Sequence, residues 1–348
     1  MLSIDNTTDK KRNVLGDSGK RVSQFVYIKV IACFAIVLLH CVNSASIYHA
    51  GEISEGEALA AQTVVSMLMW AVPCFLMVTG ALLLDPEKKI TLQKLFGKYI
   101  RRMVTALVVF TLIFTFIRHD ASNGTSLVYE FFDGLLFNHC MAYLWYLYLM
   151  IALYLTMPVW KAAVDRFSDR QILISLLIVL MVVSILPLAG YLDIEAASYI
   201  PTWLVYPCYL FIGYLIKRHQ PDPRLAAAVF AVCTASLGLI TYMAAPTDLD
   251  PSGLSGYNSP IVVLQSAAVY AMMLGIRREA SSLAVSIDRC SFGIYLIHML
   301  FFRLIMKELG FDPFVFGPFG FIAFAVIVFA ASYGMTWCLK KLPGFGWL

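Results

Sequence analysis

Two ionisable side chains in the first apolar stretch of the chain are spaced so that they lie on one face of a helix. Lys29 and His40 are eleven residues apart, which is three helical turns to within about 20° and about 16 Å along the axis. Ionisable groups inside a membrane span are costly and usually face a protein interior or a wet cavity. A neutral imidazole can accept a proton near neutral pH, and a cation at the cytoplasmic end can hold a phosphate. The pair predicts a site entered from the cytoplasm by an anionic donor; the alternative is that His40 hydrogen-bonds a neighbouring helix and Lys29 reaches the interface.

Three further groups of residues could take part in such chemistry. Arg101 and Arg102 follow Lys94 and Lys98 and could bind the phosphates of a nucleotide-like donor, or simply anchor the cytoplasmic side. Trp145 and Tyr148, with Tyr143 and Tyr146, could form a stacking platform for a sugar or for the pantetheine arm of the donor, or an interfacial aromatic belt; His139 lies just before them. Tyr295 and His298 are one helical turn apart and could contact a substrate, or pack with a satisfied hydrogen bond.

The composition indicates that these residues are positioned by helices in a membrane. The chain has 348 residues, of which 60% are hydrophobic and only 14% charged, whereas soluble domains are roughly 45–50% apolar and about 25% charged. Spans of about 20 apolar residues cross a bilayer core as helices. We therefore expect an all-α transmembrane bundle with about ten spans, near residues 22–43, 59–84, 99–118, 141–160, 172–191, 202–217, 224–244, 258–276, 288–307 and 317–339.

The charges of the loops predict the orientation of these spans. Loops rich in Lys and Arg alternate with acidic or neutral loops along the whole chain, and basic loops stay in the cytoplasm. Both termini are therefore expected in the cytoplasm, with a polar segment at 1–21 and one transmembrane domain at 22–348. The apolar stretch 127–139 is short and carries two acidic residues, which favours an interfacial or re-entrant segment.

Several kinds of site are disfavoured by the sequence. The net charge of +4 is too small to indicate nucleic acid binding. None of the eight cysteines forms a C-x-x-C pair, so they are expected to be small buried hydrophobic residues. No histidines are spaced i, i+4, and no G-x-S-x-G element or Gly-rich phosphate loop occurs. We expect no metal.

Four segments together resemble the acyltransferase 3 family of bacterial membrane O-acyltransferases. KVIACFAIVLLH (29–40) resembles that family's R-x10-H element, and VPCFLMVTGALLL (72–84) resembles its VPxFFxxSGxLL pattern. LWYLYLMIALYLTMPVW (144–160) and SFGIYLIHMLF (291–301) resemble two later helices of the family. Lys29 stands at the position of the family's arginine, and it lacks the planar fork that arginine offers to a phosphate.

The resemblance implies an activity, a donor and a place in the cell. His40 would be the essential base, and the donor would be an acyl-CoA, usually acetyl-CoA, bound on the cytoplasmic side with Lys29, Arg101 and Arg102 on its phosphates. The acceptor would be a hydroxyl of a surface glycan or lipid-linked sugar, with His139, Trp145, Tyr148, Tyr295 and His298 as candidate contacts. The protein would lie in the bacterial cytoplasmic (inner) membrane among lipids, and a homo-oligomer is left open.

Two other interpretations remain open from the sequence. About ten spans with buried ionisable groups and outward aromatic residues also suit a transporter or flippase of a small anionic or glycan-related substrate. Against it, we find no inverted repeat and no paired Gly/Pro-broken helices in matching halves. A catalytically inactive scaffold is the third interpretation, and it is favoured slightly by Lys29 in place of arginine.

Overall fold

The structure, a computed structural model, is built from helices. It describes residues 7–348 except 121, 123, 193, 195–198 and 245–251, with the backbone alone at 7–22 and 252. No strand occurs among the described residues, which confirms the all-α prediction. The helices of more than ten residues in the described part are α1 (Thr7–Tyr48), α2 (Glu55–Met67), α3 (Ala71–Leu83), α4 (Arg101–Arg118), α5 (Leu127–Phe137), α6 (Trp145–Arg166), α7 (Asp169–Leu180), α8 (Val205–His219), α9 (Pro223–Ala244), α10 (Pro260–Leu274), α11 (Ser282–Arg303) and α12 (Gly317–Leu339).

Shorter helical pieces extend or connect these helices. Short α-helical segments lie at Leu92–Lys94 and Ser252–Ser255, and π-helical turns at Leu95–Ile100, Met181–Ile185 and Leu304–Glu308. The 3₁₀ turns lie at Ala142–Leu144, Leu186–Leu192, Thr202–Leu204 and Pro313–Phe316. Several of these pieces join a helix end to end and lengthen it.

Eight helical stretches of the described chain are long and apolar enough to cross a membrane, close to the predicted ten. They are Ser23–Tyr48, Glu55–Leu83, Leu92–Arg118, Ala142–Arg166, Asp169–Leu192, Pro223–Ala244, Ser282–Glu308 and Pro313–Leu339. The predicted spans near 202–217 and 258–276 are the helices α8 and α10, each of 15 residues. At 1.5 Å per residue each is about 22 Å long, shorter than the ~30 Å hydrocarbon core. Most side chains of both are buried by other helices, so neither helix has to match the thickness of the lipid. The predicted orientation of the spans stays a prediction.

The chain folds into two compact units. The first comprises the chain up to Leu82 together with Asp169–Cys338, and the second comprises Leu83–Ser168 and Leu339–Leu348. In the first unit α1 packs against α11, α2 and α10, while α10 packs against α9 and α8. In the second unit α4 packs against α5 and α6.

The second span of the first unit is broken between α2 and α3. Pro73 lies in the first turn of α3 and has no N–H with which to continue a helix running in from α2. The break frees backbone groups that need partners inside the membrane. The carbonyl of Met67 receives one: the Gln265 side-chain Nε2 of α10 donates to it at 3.0 Å and to the Thr234 hydroxyl at 2.9 Å. A fully buried glutamine thus stabilises the end of α2.

The same unit contains a crossing at which two helix backbones touch. A Cβ atom added at Gly80 of α3 would lie 2.0 Å from the carbonyl oxygen of Leu210, and one added at Gly213 of α8 would lie 2.1 Å from that of Met77. Small residues at helix crossings allow this approach in membrane proteins. Lys217 of α8 also donates to the Ala81 carbonyl at 2.9 Å, near the C-terminus of α3.

Helix α5 of the second unit turns its acidic side towards the protein. Val128, Tyr129, Phe132, Leu136 and Phe137 are exposed, whereas Glu130 and Asp133 are partly buried and Gly134 is buried. An apolar outer face on a helix of 11 residues suits a position against lipid without crossing it. The interfacial or re-entrant assignment of this segment stays a prediction, and the pattern supports it.

Candidate active site

The structure brings together two of the residues singled out from the sequence, His40 of α1 and His298 of α11. Their ring centroids are 5.2 Å apart and their planes are inclined by 38°. The His298 side chain is fully buried, whereas His40 is only half-buried. The His40 residue thus keeps some exposed surface, whereas His298 keeps none.

A parallel alignment of α1 and α11 produces this contact. Five contacts link residues whose numbers differ by nearly the same amount: Tyr27 with Glu279, Ser23 with Ala280, Lys29 with Asp288, Cys33 with Ser291, and His40 with His298. A nearly constant difference means that the two segments run in the same direction. The eleven residues from Lys29 to His40 and the ten from Asp288 to His298 span about 16 and 15 Å. The polar residues therefore meet in pairs, three turns apart.

The hydrogen bond at His298 fixes its tautomer. His298 Nδ1 lies 2.6 Å from the carbonyl oxygen of Tyr295. Because a carbonyl oxygen can only accept, Nδ1 carries the proton, and in the neutral ring Nε2 then carries the lone pair. Tyr295 also places its own ring 6.1 Å from that of His298. The contact between Tyr295 and His298 expected from their spacing is thus present in the structure.

Helix α11 packs closely against α12 at Gly293. A Cβ atom added at Gly293 would lie 2.2 Å from Cγ2 of Thr336 in α12, so these helices touch where a larger residue would not fit. Thr336 is fully buried, and its hydroxyl donates to the Ser332 carbonyl at 2.7 Å. This contact lies five residues before His298 on the same helix, so it fixes the position of the helix that carries the ring.

Lys29 lies in an ion pair that the sequence analysis did not anticipate. Its Nζ is 2.6 Å from Oδ1 of Asp288, and the two side chains are 27% and 13% exposed. Asp288 was missed because it is followed at once by Arg289 in what reads as a basic loop. The signal was present: Asp288 precedes His298 by ten residues, nearly the spacing of Lys29 and His40. The role of Lys29 in phosphate binding stays a prediction, and a phosphate there would compete with Asp288.

We expect Asp288→Ala to lower the free energy of unfolding by about 2 kcal/mol, between the values for exposed and fully buried ion pairs. The variant leaves the Lys29 ammonium partly buried without its carboxylate. The double variant Lys29→Asp, Asp288→Lys should regain part of the loss, because it restores an opposite pair. Thermal unfolding of the purified protein in detergent measures both effects.

A matched control for this prediction lies on α6. Asp165 is 50% exposed and its Oδ1 lies 2.5 Å from Lys161 Nζ, so Asp165→Ala should cost less than about 0.5 kcal/mol. Equal losses for Asp165→Ala and Asp288→Ala would show that the α1–α11 pair contributes nothing beyond an ordinary surface contact.

The predicted arginines belong to the second unit, and their positions differ. Arg102 donates from Nε to the carbonyl oxygen of Trp347 and from a terminal nitrogen to Leu348 O, both at 2.6 Å. Its guanidinium is thus bonded to backbone oxygens of residues 347 and 348. Arg101 is exposed. Phosphate binding by either stays a prediction, and the exposed position of Arg101 suits it better.

The predicted aromatic platform is also in the second unit, and part of it serves packing. The Tyr148 hydroxyl donates to the Leu135 carbonyl of α5 at 2.6 Å, and buried Tyr143 packs edge-on against Phe114 at 6.0 Å. Trp145 is half-buried and lies edge-on to Tyr146 at 6.2 Å. Trp145, Tyr146 and Tyr148 all keep some exposed surface. Substrate contact by Trp145 and Tyr148 stays a prediction.

Two histidine–carboxylate pairs join α5 to the segments on either side of it. His139 Nδ1 lies 3.0 Å from Asp133 Oδ2, and the histidine side chain is 66% exposed. His119 Nδ1 lies 3.0 Å from Glu130 Oε2. Hydrogen bonds from the Thr125 hydroxyl and from His119 hold the pKa of Glu130 below its ordinary value. His139 is therefore an accessible histidine with an acidic partner, and its role as an acceptor contact stays a prediction.

Comparison with known proteins agrees with the resemblance found in the four sequence segments. A family model described as an acyltransferase domain, that of the acyltransferase 3 family, matches residues 23–339. The chain belongs to the acyltransferase 3 family. No curated protein and no solved structure matches it. The match begins with the first membrane span at Ser23 and ends with α12 at Leu339, so it covers all eight described stretches that could cross a membrane.

The chain is thus a membrane acyltransferase, as the sequence predicted. The match includes His40, His298 and all the other candidate residues. Among the residues that the structure describes, no three His, Cys, Asp or Glu side chains come together as a metal site would require.

Proposed function

We propose that this acyltransferase moves an acyl group, acetyl in view of the family resemblance, from cytoplasmic acyl-CoA to a hydroxyl of a surface or lipid-linked glycan. The observation that carries the proposal is the pair of imidazoles, of which His40 is half-buried and His298 fully buried. Two neighbouring imidazoles inside a membrane protein are an arrangement suited to proton transfer.

His40 is the general base in this proposal. It takes the proton from the acceptor hydroxyl as that oxygen attacks the thioester carbonyl. The tetrahedral intermediate then collapses, the carbon–sulfur bond breaks, and the thiolate of CoA leaves and takes the proton back from His40. The products are the acyl ester and free CoA. General-base catalysis of this kind contributes roughly 10²–10⁴-fold, and positioning supplies more.

The donor is held by its phosphates in this proposal. Arg101 is exposed and offers a planar guanidinium. Lys29 and Arg102 are the other candidates, and each would have to exchange its present oxygen partners for a phosphate. On the acceptor side, His139, Trp145, Tyr148 and Tyr295 are the candidate sugar contacts. The membrane is then the bacterial inner membrane, which provides acyl-CoA on one face.

A Lys29→Arg variant tests whether Lys29 serves the donor. If Lys29 takes the place of the family's arginine, the variant should bind acyl-CoA at least as tightly as the natural protein, because arginine keeps the charge and adds a bidentate fork. Equilibrium binding of a fluorescent acyl-CoA to the purified protein measures this. Loss of binding in Lys29→Arg would contradict the assignment.

The proposed function is tested by two measurements on the same protein. The purified acyltransferase should bind acetyl-CoA, and the surface glycan of a deletion strain should lack acetyl groups that the complemented strain carries, as measured by mass spectrometry. A transporter would bind no acyl-CoA. Unchanged acetylation in the deletion strain would contradict the proposed reaction and favour an inactive scaffold.

A further inference from the structure

The rings of His40 and His298 are close enough for a hydrogen bond to form once a nitrogen of each ring is turned towards the other. Their centroids are 5.2 Å apart. Because each ring nitrogen lies about 1.1 Å from its centroid, a rotation that turned one nitrogen of each ring towards the other would bring these atoms about 3 Å apart, the length of an N–H···N hydrogen bond. The inclination of 38° between the planes allows such a bond near the plane of each ring.

The tautomer of His298 sets the direction of that bond. Its Nδ1–H is used by the Tyr295 carbonyl at 2.6 Å, so Nε2 is an acceptor. An acceptor at this point requires His40 to present a proton on the facing nitrogen. In neutral His40 the other nitrogen then carries the lone pair that a general base needs.

We infer that His298 is a positioning residue, whose Nε2 accepts the N–H of His40 and so directs the basic nitrogen of His40 towards the acceptor hydroxyl. The inference rests on the proposed function of His40. It adds to it the group that orients the base and that stabilises the imidazolium formed when His40 takes a proton. A base oriented by a third group is the general arrangement for activated nucleophiles.

Burial and packing favour positioning over direct contact of His298 with a substrate. The side chain has no exposed surface, and α11 is held against α12 at Gly293 and against α1 at Asp288. Adjacent imidazoles do not readily carry two positive charges. His298 therefore stays neutral when His40 is protonated, and it keeps the lone pair that the imidazolium needs.

Two substitutions at position 298 separate the functions of the two ring nitrogens. The amide of asparagine reaches the place of Nδ1, so His298→Asn keeps a donor to the Tyr295 carbonyl and loses the acceptor. The amide of glutamine reaches the place of Nε2, so His298→Gln can present an acceptor oxygen to His40. A residue that only fills space would not distinguish between these variants in this way.

The experiment measures acetyl transfer from [¹⁴C]acetyl-CoA to membranes of a deletion strain that contain each purified variant. We expect His298→Asn to lower kcat on the order of 10²-fold while the KM for acetyl-CoA stays within about twofold. His298→Gln should retain kcat within about tenfold of the natural protein. In a His40→Ala background, His298→Asn should cause no further loss, because the base that it orients is absent.

Each outcome separates this inference from the proposed function. If His40→Ala is inactive while His298→Asn has the kcat of the natural protein, the positioning role is wrong and the function of His40 stands. A rise in KM with unchanged kcat in His298→Asn would assign His298 to substrate binding and overturn the inference. If His40→Ala is fully active, the proposed function itself fails. Should His298→Asn not fold, as judged by size-exclusion chromatography, His298→Gln decides: loss of kcat in a folded His298→Gln contradicts the inference.

Discussion

We expect His40→Ala to lower acyl transfer by about 10²–10⁴-fold while the binding of acyl-CoA changes little. The substitution removes the proposed base, and we expect the rest of the bundle to stay in place. The remaining activity would come from holding donor and acceptor together. A drop in kcat without a loss of donor affinity is the pattern of a group that acts in the transition state.

The measurement is initial-rate transfer of radiolabelled acetyl from acetyl-CoA to membranes, with equilibrium binding of the donor measured in parallel. His219→Ala serves as the control, because His219 is 61% exposed and pairs with Asp169, outside the proposed machinery. It should leave transfer unchanged. Undiminished transfer in His40→Ala would rule out His40 as the base, and an equal loss in both variants would indicate a general effect on the fold.

The second large effect is on stability. Gly213→Ala should lower the free energy of unfolding by on the order of 3 kcal/mol, because overpacking a contact between two backbones leaves no side chain that can rotate away. The added Cβ would lie 2.1 Å from the Met77 carbonyl oxygen, so α3 and α8 must move apart. Gly80→Ala should have a similar effect, since its Cβ would lie 2.0 Å from the Leu210 carbonyl oxygen.

The double variant gives the sharper test. One separation of α3 from α8 relieves both clashes, so Gly80→Ala combined with Gly213→Ala should cost clearly less than the sum of the two single losses. Gly334→Ala in α12 is the control, because a Cβ there meets nothing within 4 Å and alanine favours a helix over glycine by about 1 kcal/mol. Thermal unfolding in detergent measures all four proteins. A Gly213→Ala protein as stable as Gly334→Ala would contradict the close backbone contact between α3 and α8.

Much of the architecture could be predicted from hydrophobicity alone, because lipid forces backbone hydrogen bonds into helices. The predicted spans all correspond to helices. The 15-residue lengths of α8 and α10 could not be predicted in this way. Hydrophobicity measures transfer out of water, and it does not distinguish a helix surrounded by lipid from one surrounded by other helices. The break after Met67 was indicated by Pro73, but its partner Gln265 comes from a distant helix.

The candidate site was predicted in part, for a related reason. The common face of Lys29 and His40 follows from helix geometry within one span, and the sequence therefore identified both. Their partners Asp288 and His298 lie about 258 positions further along the chain. A single sequence contains no signal for which spans are neighbours, so His298 was identified without its contact and Asp288 was missed. Arg102 was identified by its charge, which does not reveal that its bonds go to Trp347 and Leu348.

Because α1 and α11 run in parallel, a shift of one helix along the other changes the Lys29–Asp288 and His40–His298 contacts together. Sliding α11 along α1 by one turn, about 5.4 Å, would open the Lys29–Asp288 bridge and move the two histidine rings apart together. A phosphate that replaced Asp288 as the partner of Lys29 would therefore remove one of the contacts that fix the position of α11 along α1. If the donor phosphate binds Lys29 as proposed, its arrival would therefore be linked to the spacing of the two imidazoles three turns away.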